Sequence, residues 1–423
     1  MNTKIPAFII LLALITLPLH IIHSQDTDDD PAGQIIVSIE ISGLKRTKIF
    51  IARMPLEKFI GRDASTLEDL EVETAVVATG TLEPKSVELI KGADGIILHV
   101  TVAEKWTILP YPVFMYTSTG YNFGLYLLDY NFLGIRDSAA IGGTYGKNGW
   151  SILTTYSHTP NERGKPGWTA YFAFNKRSRA DLDKYQIAHR YYSINQLRAS
   201  FGMSYPIANY LSGSSTVSFS NTSFNSISNA FNAPDRGAML IGISQVISTG
   251  KSSWDGYFLS QKSFSFDYSF YIGLKSQSYH QAGYRAVFEH SLTPGLRALI
   301  RSGAVIKSAA DLKSPLNPLY EDNPARSQAD ILPAGFAAKN YAGFSAGLEV
   351  YVVKFKWGLV SITGSWQLVF SYGSISGFEF DNGPYAGLNV YLNRVAIPAM
   401  GFGLTYNLNS GVLQYGLNLS MSI

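Results

Sequence analysis

The sequence predicts a mostly β protein: a small α+β domain followed by an antiparallel transmembrane β-barrel of about sixteen strands. Three observations carry this. From Thr107 to the C-terminus, segment after segment alternates between an apolar face and a face of Gly, Asn, Ser and Thr. Charged residues make up 15% of the chain, against roughly 25% in an ordinary soluble domain, while 26 Tyr and 24 Phe are present. The single long apolar run lies at the start, so a helical membrane bundle has nothing to be built from.

That run, Ile5 to Ile22, follows Lys4 and precedes Ser24 and Gln25. A positive start, a short apolar core and a small residue at the end describe a signal peptide over residues 1–24. An uncleaved anchor is the alternative, and Pro6, Pro18 and His20 make it a poor span. Residues 25–33, with Asp26, Asp28, Asp29 and Asp30, read as a solvated acidic linker.

Residues 34–105 read as the α+β domain. Gln34 to Ser42 alternates around Ile35, Val37, Ile39 and Ile41, which predicts a half-buried strand ending at Gly43. Thr47 is placed to cap a helix carrying Ile51 and Leu56. Ser65 to Glu68 has capping-box spacing and predicts a helix through Leu67, Leu70 and Val76, stopping at Gly80. Strands around Ser86 to Ile90 and Ile96 to Val102 follow, joined by a turn at Gly92 to Gly95.

Residues 106–423 read as the barrel. Ala386, Leu388, Val390 and Leu392 share one face; Gly387, Asn389, Tyr391 and Asn393 share the other. Phe264, Phe266, Tyr268, Phe270 and Ile272 oppose Ser265, Asp267, Ser269 and Tyr271. A soluble sandwich also alternates, but its exposed face would carry Lys, Glu and Arg; here the polar face is small and uncharged, and aromatics crowd the strand ends. Thr293 to Gly295 and Lys354 to Trp357 predict short turns on the periplasmic side. Asn175 to Arg190, Asn221 to Arg236 and Ala309 to Asn340 predict long polar loops on the other, the last between the eleventh and twelfth strands.

Composition removes several chemistries. Without cysteine there is no zinc thiolate, disulfide, thiol nucleophile or lipidated N-terminal cysteine. A net charge of +3 without a basic stripe argues against a nucleic-acid partner. Gly343 to Gly347 matches G-x-S-x-G, yet that motif needs a strand-to-helix turn and Ser345 sits inside an alternating strand. Gly142 to Lys147 has the wrong spacing for a phosphate loop and is followed by Asn148. Glu349 and Asp267 read as solvated lumenal residues; Lys176, Arg177, Arg179, Asp181 and Asp183 read as a solvated loop. No enzyme and no cofactor are expected.

Four features together resemble the BamA-type outer-membrane assembly factors, whose POTRA domain feeds a sixteen-stranded barrel. They are the strand-helix-helix-strand-strand order with Gly43, Gly80 and Asp94-Gly95; the joining segment Glu104 to Pro110; Asp129-Tyr130-Asn131-Phe132-Leu133-Gly134, similar to the family's first periplasmic turn; and one long loop before the twelfth strand. The resemblance implies a POTRA-like domain over 34–105 and a periplasmic position for it. It also implies an Arg-Gly-Phe or Arg-Gly-Tyr loop latched in the lumen to an aspartate of the thirteenth strand. Here the matching residues are Ala334, Gly335 and Phe336, with Ser371 in place of the aspartate. Losing both charges together is coherent, because either alone would be stranded. Only one POTRA unit is read, where the essential bacterial assembly factor has several.

The expectation is a protein in the outer membrane of a diderm bacterium that assists insertion or translocation of polypeptides through a weak barrel seam. The alternative is a passive channel or structural surface protein on the same fold. Expected partners are outer-membrane lipids, unfolded β-barrel or secreted polypeptide clients, and periplasmic accessory proteins. The seam candidates are Pro110 and Pro112, which have no N–H to donate, with Gly416 and Ile423 on the last strand. If the prolines lie in the linker below the membrane, they merely stiffen it. The lumenal-loop candidates are Ala334, Gly335, Phe336 and Ser371, in a loop either surface-exposed or folded inward.

Overall fold

The structure, a computed structural model, describes residues 34–420 except 118–119, 161–164, 230–236, 255–256, 275, 309–328, 330, 334, 357, 375–376 and 393–399. The signal-peptide and linker readings, Ala334 and Ile423 lie outside the described residues.

The N-terminal unit runs β1 (Ile36–Ser42), α1 (Ile49–Arg53), two short 3-10 turns, α2 (Asp69–Val77), β2 (Leu82–Lys91) and β3 (Ile96–Glu104). Its three-stranded sheet has the order β1-β3-β2, with β1 parallel and β2 antiparallel to the central β3. Every second residue of β3, from Ile96 through Leu98 and Val100 to Val102, enters a core closed by Leu56, Phe59, Val72 and Val76.

Three local expectations are corrected. A register shift between Ile36 and Ser38 turns Ile36 inward and leaves Ile35 and Val37 exposed, so the sequence alternation misplaced that half of β1. Thr47 does not cap α1: Lys48 occupies the N-cap and makes no side-chain cap bond. The capping box at Ser65 is not formed either. Asp63 accepts from the Ser65 N–H and caps a 3-10 turn, and α2 starts only at Asp69. An aspartate two residues upstream competes for the same donor, and here it wins.

Sixteen strands close the barrel. They are β4 (Ile108–Thr117), β5 (Gly120–Phe132), β6 (Asp137–Gly146), β7 (Gly149–His158), β8 (Gly167–Leu182), β9 (Ala188–Ala208), β10 (Leu211–Asn229) and β11 (Ala238–Trp254). β12 (Leu259–Gly273), β13 (Tyr279–Thr293), β14 (Leu296–Lys307), β15 (Asn340–Lys354), β16 (Gly358–Ser374), β17 (Gly377–Leu392), β18 (Met400–Asn407) and β19 (Val412–Ser420) complete it. Phe264, Phe266, Leu348, Phe370 and Leu388 are exposed on the outer face, as a lipid-facing wall requires. Their strand neighbours Ser345, Glu349, Ser361, Gln367 and Ser371 are buried on the inner face. Among the described residues no helix is long and apolar enough to cross a membrane.

The wall is taller than predicted on one side. β8 and β9 run on to Leu182 and start at Ala188, and β10 runs to Asn229, so most of the two expected polar loops is strand. Their alternation continues past the apolar belt in polar residues, which a hydropathy reading counts as loop. Because β4 starts beside the N-terminal unit, every second connection lies at that end, including those at 133–136 and 294–295. The 308–339 connection lies at the opposite end, between the eleventh and twelfth barrel strands.

Candidate functional site

The barrel closes where β19 meets β4, and the described ladder is short: Val113–Thr117 against Gly416–Ser420. Pro110 and Pro112 pair with Leu127 and Leu125 of β5. The phase of that pairing decides what the prolines do. Tyr130 N–H donates to the Thr107 carbonyl, so odd-numbered residues of this strand exchange bonds with β5. Even-numbered residues, Pro110 and Pro112 among them, direct their backbone toward the β19 side. A proline there costs the β5 ladder nothing and removes two donors from the edge facing the seam. Both prolines lie on the N-terminal side of the described pairs. Gly416 pairs with Thr117, and a Cβ built on it would meet only Thr117 Cγ2, at 3.9 Å. Across the outer face of the seam the Tyr116 and Tyr415 rings stand 6.2 Å apart.

The loop candidates separate. Phe336 lies inside the barrel mouth, in a buried cluster with Ile331, Leu332, Ala338, Tyr341 and the wall residues Val305 and Val369, and Gly335 beside it is half-buried against Leu182. Ser371 is buried on the inner face of β16, in register with Glu379, and touches none of the loop bonds described below. In place of an ion pair the segment 329–339 is held by neutral hydrogen bonds. Leu182 N–H donates to the Gly335 carbonyl at 2.8 Å. Tyr341 Oη accepts from Ala338 N–H at 2.6 Å and donates to the Phe336 carbonyl at 3.0 Å. Gln414 Nε2, on β19, donates to the Ile331 carbonyl at 2.7 Å. The segment thus ties the far end of β8 to the last strand. Gln414, Leu182 and Tyr341 were not singled out in the sequence; alternation gives Gln414 an inward direction, but nothing local names its partner.

A second inner layer stands nearer the N-terminal unit. Arg297 donates to Glu349 at 2.6 Å and to Glu289 at 2.9 Å, and Arg301 donates to Glu289 at 2.6 Å. Tyr391 Oη donates to Glu349 at 2.9 Å, and Phe258 packs beneath the Arg297 guanidinium, 4.7 Å from its carbon to the ring centre. Phe258 comes from the β11–β12 connection and reaches across to β17. Glu349 is therefore paired and buried, which corrects its reading as a solvated channel residue. Asp181 is corrected likewise: it forms a buried pair with Arg190 on adjoining strands. Ser345 stands in register with Arg301 and Gln367, in mid-strand, where no base adjoins it.

The N-terminal unit is fastened to the barrel by residues of both quoted motifs. Glu104 Oε1 accepts the N–H groups of Lys45, Arg46 and Thr47 at 2.9, 2.8 and 2.6 Å. Partial burial alone would raise the Glu104 carboxyl; these three N–H groups outweigh it and hold the group below its ordinary range. Arg46 pairs with Asp129, Asn131 Nδ2 donates to Thr47 Oγ1 at 2.8 Å, and Lys48 N–H donates to the Gly134 carbonyl at 2.8 Å. Gly134 has φ +76°, and a Cβ there would overlap the Arg46 carbonyl. This explains Thr47: its hydroxyl serves the junction instead of α1.

No protein-family model matches the chain. No curated protein matches it either. Solved structures do. BamA from Haemophilus ducreyi lacking POTRA domains 1-3 aligns with a TM-score of 0.69 and 12% identity over 92% of this chain and 85% of that one. CdiB from Acinetobacter baumannii gives 0.57 and 12% over 92% and 74%. CdiB from Escherichia coli gives 0.54 and 10% over 94% and 93%. At such identities the likeness is one of fold, a BamA- and CdiB-like sixteen-stranded barrel.

Proposed function

We propose that this barrel sits in an outer membrane and assists polypeptides to insert into or cross it, with the β4–β19 seam as the working element. The fold likeness to BamA and CdiB and the sequence resemblance to assembly factors support the reading. The observation that carries it is the seam edge of β4: two prolines phased so that their missing donors face it. In a water-free bilayer each absent bond costs several kcal/mol, roughly. An edge that lacks donors opens more readily than the same edge with a full row of them.

The N-terminal unit would be POTRA-like and periplasmic, and would receive clients by strand addition. β2 offers the edge for it. β1 is partly covered by backbone bonds to Gly61, Arg62 and Ala64, whereas β2 pairs on one side only among the described residues. A passive channel is the weaker reading, because the 329–339 segment and Phe258 occupy the lumen from two ends.

Thr117 and Gly416 form a pair whose backbones do not bond each other, the closer kind, and suit a disulfide. With Thr117→Cys and Gly416→Cys together, the oxidised protein in liposomes should lose client insertion and recover it on reduction. Undiminished insertion by the oxidised, cross-linked protein would exclude a seam mechanism.

A further inference from the structure

The lumen between the loop segment and the Arg297 layer holds two adjoining cavities of about 360 Å³ each. Arg179 and Arg198 line both; Lys307 lines one and Arg177 the other. Among the described residues no carboxylate lines either. Alternation places these side chains inward, since Phe172, Phe201 and Ile306 on the same strands are exposed on the outer wall.

Elsewhere in this lumen the fold closes its arginines with acids: Arg190 with Asp181, Arg297 with Glu349 and Glu289, Arg301 with Glu289. Arg177, Arg198 and Lys307 have no carboxylate within ion-pairing distance among the described residues. Lys307 is 7% exposed, and its ammonium lies 4.6 Å from the centre of the Tyr279 ring. Like charges gathered in a confined space repel unless an anion joins them. The remaining lining is uncharged: neutral donors and rings, notably Tyr192, Tyr271, Tyr279, Gln196 and Gln281, stand beside aliphatic residues such as Ile194 and Leu240.

We propose that these cavities form one binding site for a water-soluble oligophosphate. Guanidinium groups match phosphate oxygens with paired, charge-assisted bonds, and phenol and amide groups supply further donors. A carboxylate-bearing peptide would offer single, flat charges spaced by backbone; Arg198 shared by both cavities, with Lys307 on one and Arg177 on the other, fits a compact multiple anion better. The strand wall separates the site from lipid, so the site suits a water-soluble ligand and not a lipid.

The probe is inorganic pyrophosphate, titrated calorimetrically into the protein folded in detergent micelles at an ionic strength of ~0.15 M, where weak surface attraction is screened. The expected result is one saturable site. Arg198→Gln and Lys307→Gln should each weaken it about tenfold or more, while Lys262→Gln, on the outer wall, should leave it unchanged. Folding of each variant is checked by the mobility difference between unheated and heated samples on a gel. If a Gln variant fails that check, Arg198→Lys replaces it, keeping the charge while losing the paired geometry. Two results would overturn the proposal: no saturable binding to the unaltered protein, or equal weakening in the Lys262→Gln variant, which would mean a diffuse counter-ion effect.

Discussion

Glu104 gathers three backbone N–H groups into one carboxylate, and this has a pH signature. Its folded pKa is lowered from an ordinary value near 4.5, so the junction draws full stabilisation above that value. The stabilisation disappears as pH falls through the lower folded value. Protection of the Lys45, Arg46 and Thr47 amides from hydrogen exchange, taken relative to the intrinsic rate at each pH, should therefore fall on acidification below pH ~4.5, and Glu104→Gln should flatten that dependence. A protection factor at these amides that does not change with pH in the unaltered protein would rule out the carboxylate as the clasp. Gly134 is the matching backbone test. Gly134→Ala puts a methyl group against the Arg46 carbonyl at a left-handed φ, a strain of about 1–3 kcal/mol. Limited proteolysis near Lys105 should speed up several-fold, roughly in line with that cost. In the sequence, Glu104 and Gly134 could be quoted from a resemblance, but their meeting could not be seen. Thr47 was misread because a threonine before a helix looks like a cap until a distant Asn131 claims it.

Along a strand, alternation told inside from outside well, because lipid on one side and a polar lumen on the other impose the same period on every segment. It assigned Ser345 and Gln414 inward and Phe264 and Leu388 outward. Loops obey no such period. The bond from Gln414 to Ile331 joins residues 83 apart in sequence and depends on where a whole connection folds. Gln414→Leu keeps the volume and strands the buried Ile331 carbonyl, at a cost of roughly 1–3 kcal/mol. Exchange at Phe336, Ala337 and Ala338 should rise accordingly while the barrel stays folded. If exchange there is unchanged, the last strand does not hold the loop. The long predicted loops failed for a related reason: β8, β9 and β10 continue as paired strands beyond the apolar belt, where hydrogen bonding persists and hydropathy is silent.

At the scale of the molecule, an even number of strands returns the chain to the end from which it entered. The 294–295 turn therefore shares a side with the N-terminal sheet, and the 147–148 turn lies opposite. The absence of native cysteine makes this directly measurable. In intact cells an impermeant thiol reagent should label Asn148→Cys and spare Pro294→Cys. The reverse pattern would invert the orientation. The barrel's existence, strand number and direction were all legible, since each repeats sixteen times or follows from parity. What fills the barrel was not legible, because inward side chains from strands far apart in sequence are brought together only by closure.

The phase of Pro110 and Pro112 bears on how a working cycle would end. A strand edge that can open must also let go of whatever it has paired with, and a complete row of donors would hold a guest as firmly as a native neighbour. Two missing donors make β4 a poor template for any partner, its own last strand or a visitor alike. On the proposed seam mechanism the prolines would trade grip for turnover: the gap that would let the wall part would also shorten the residence time of what enters it.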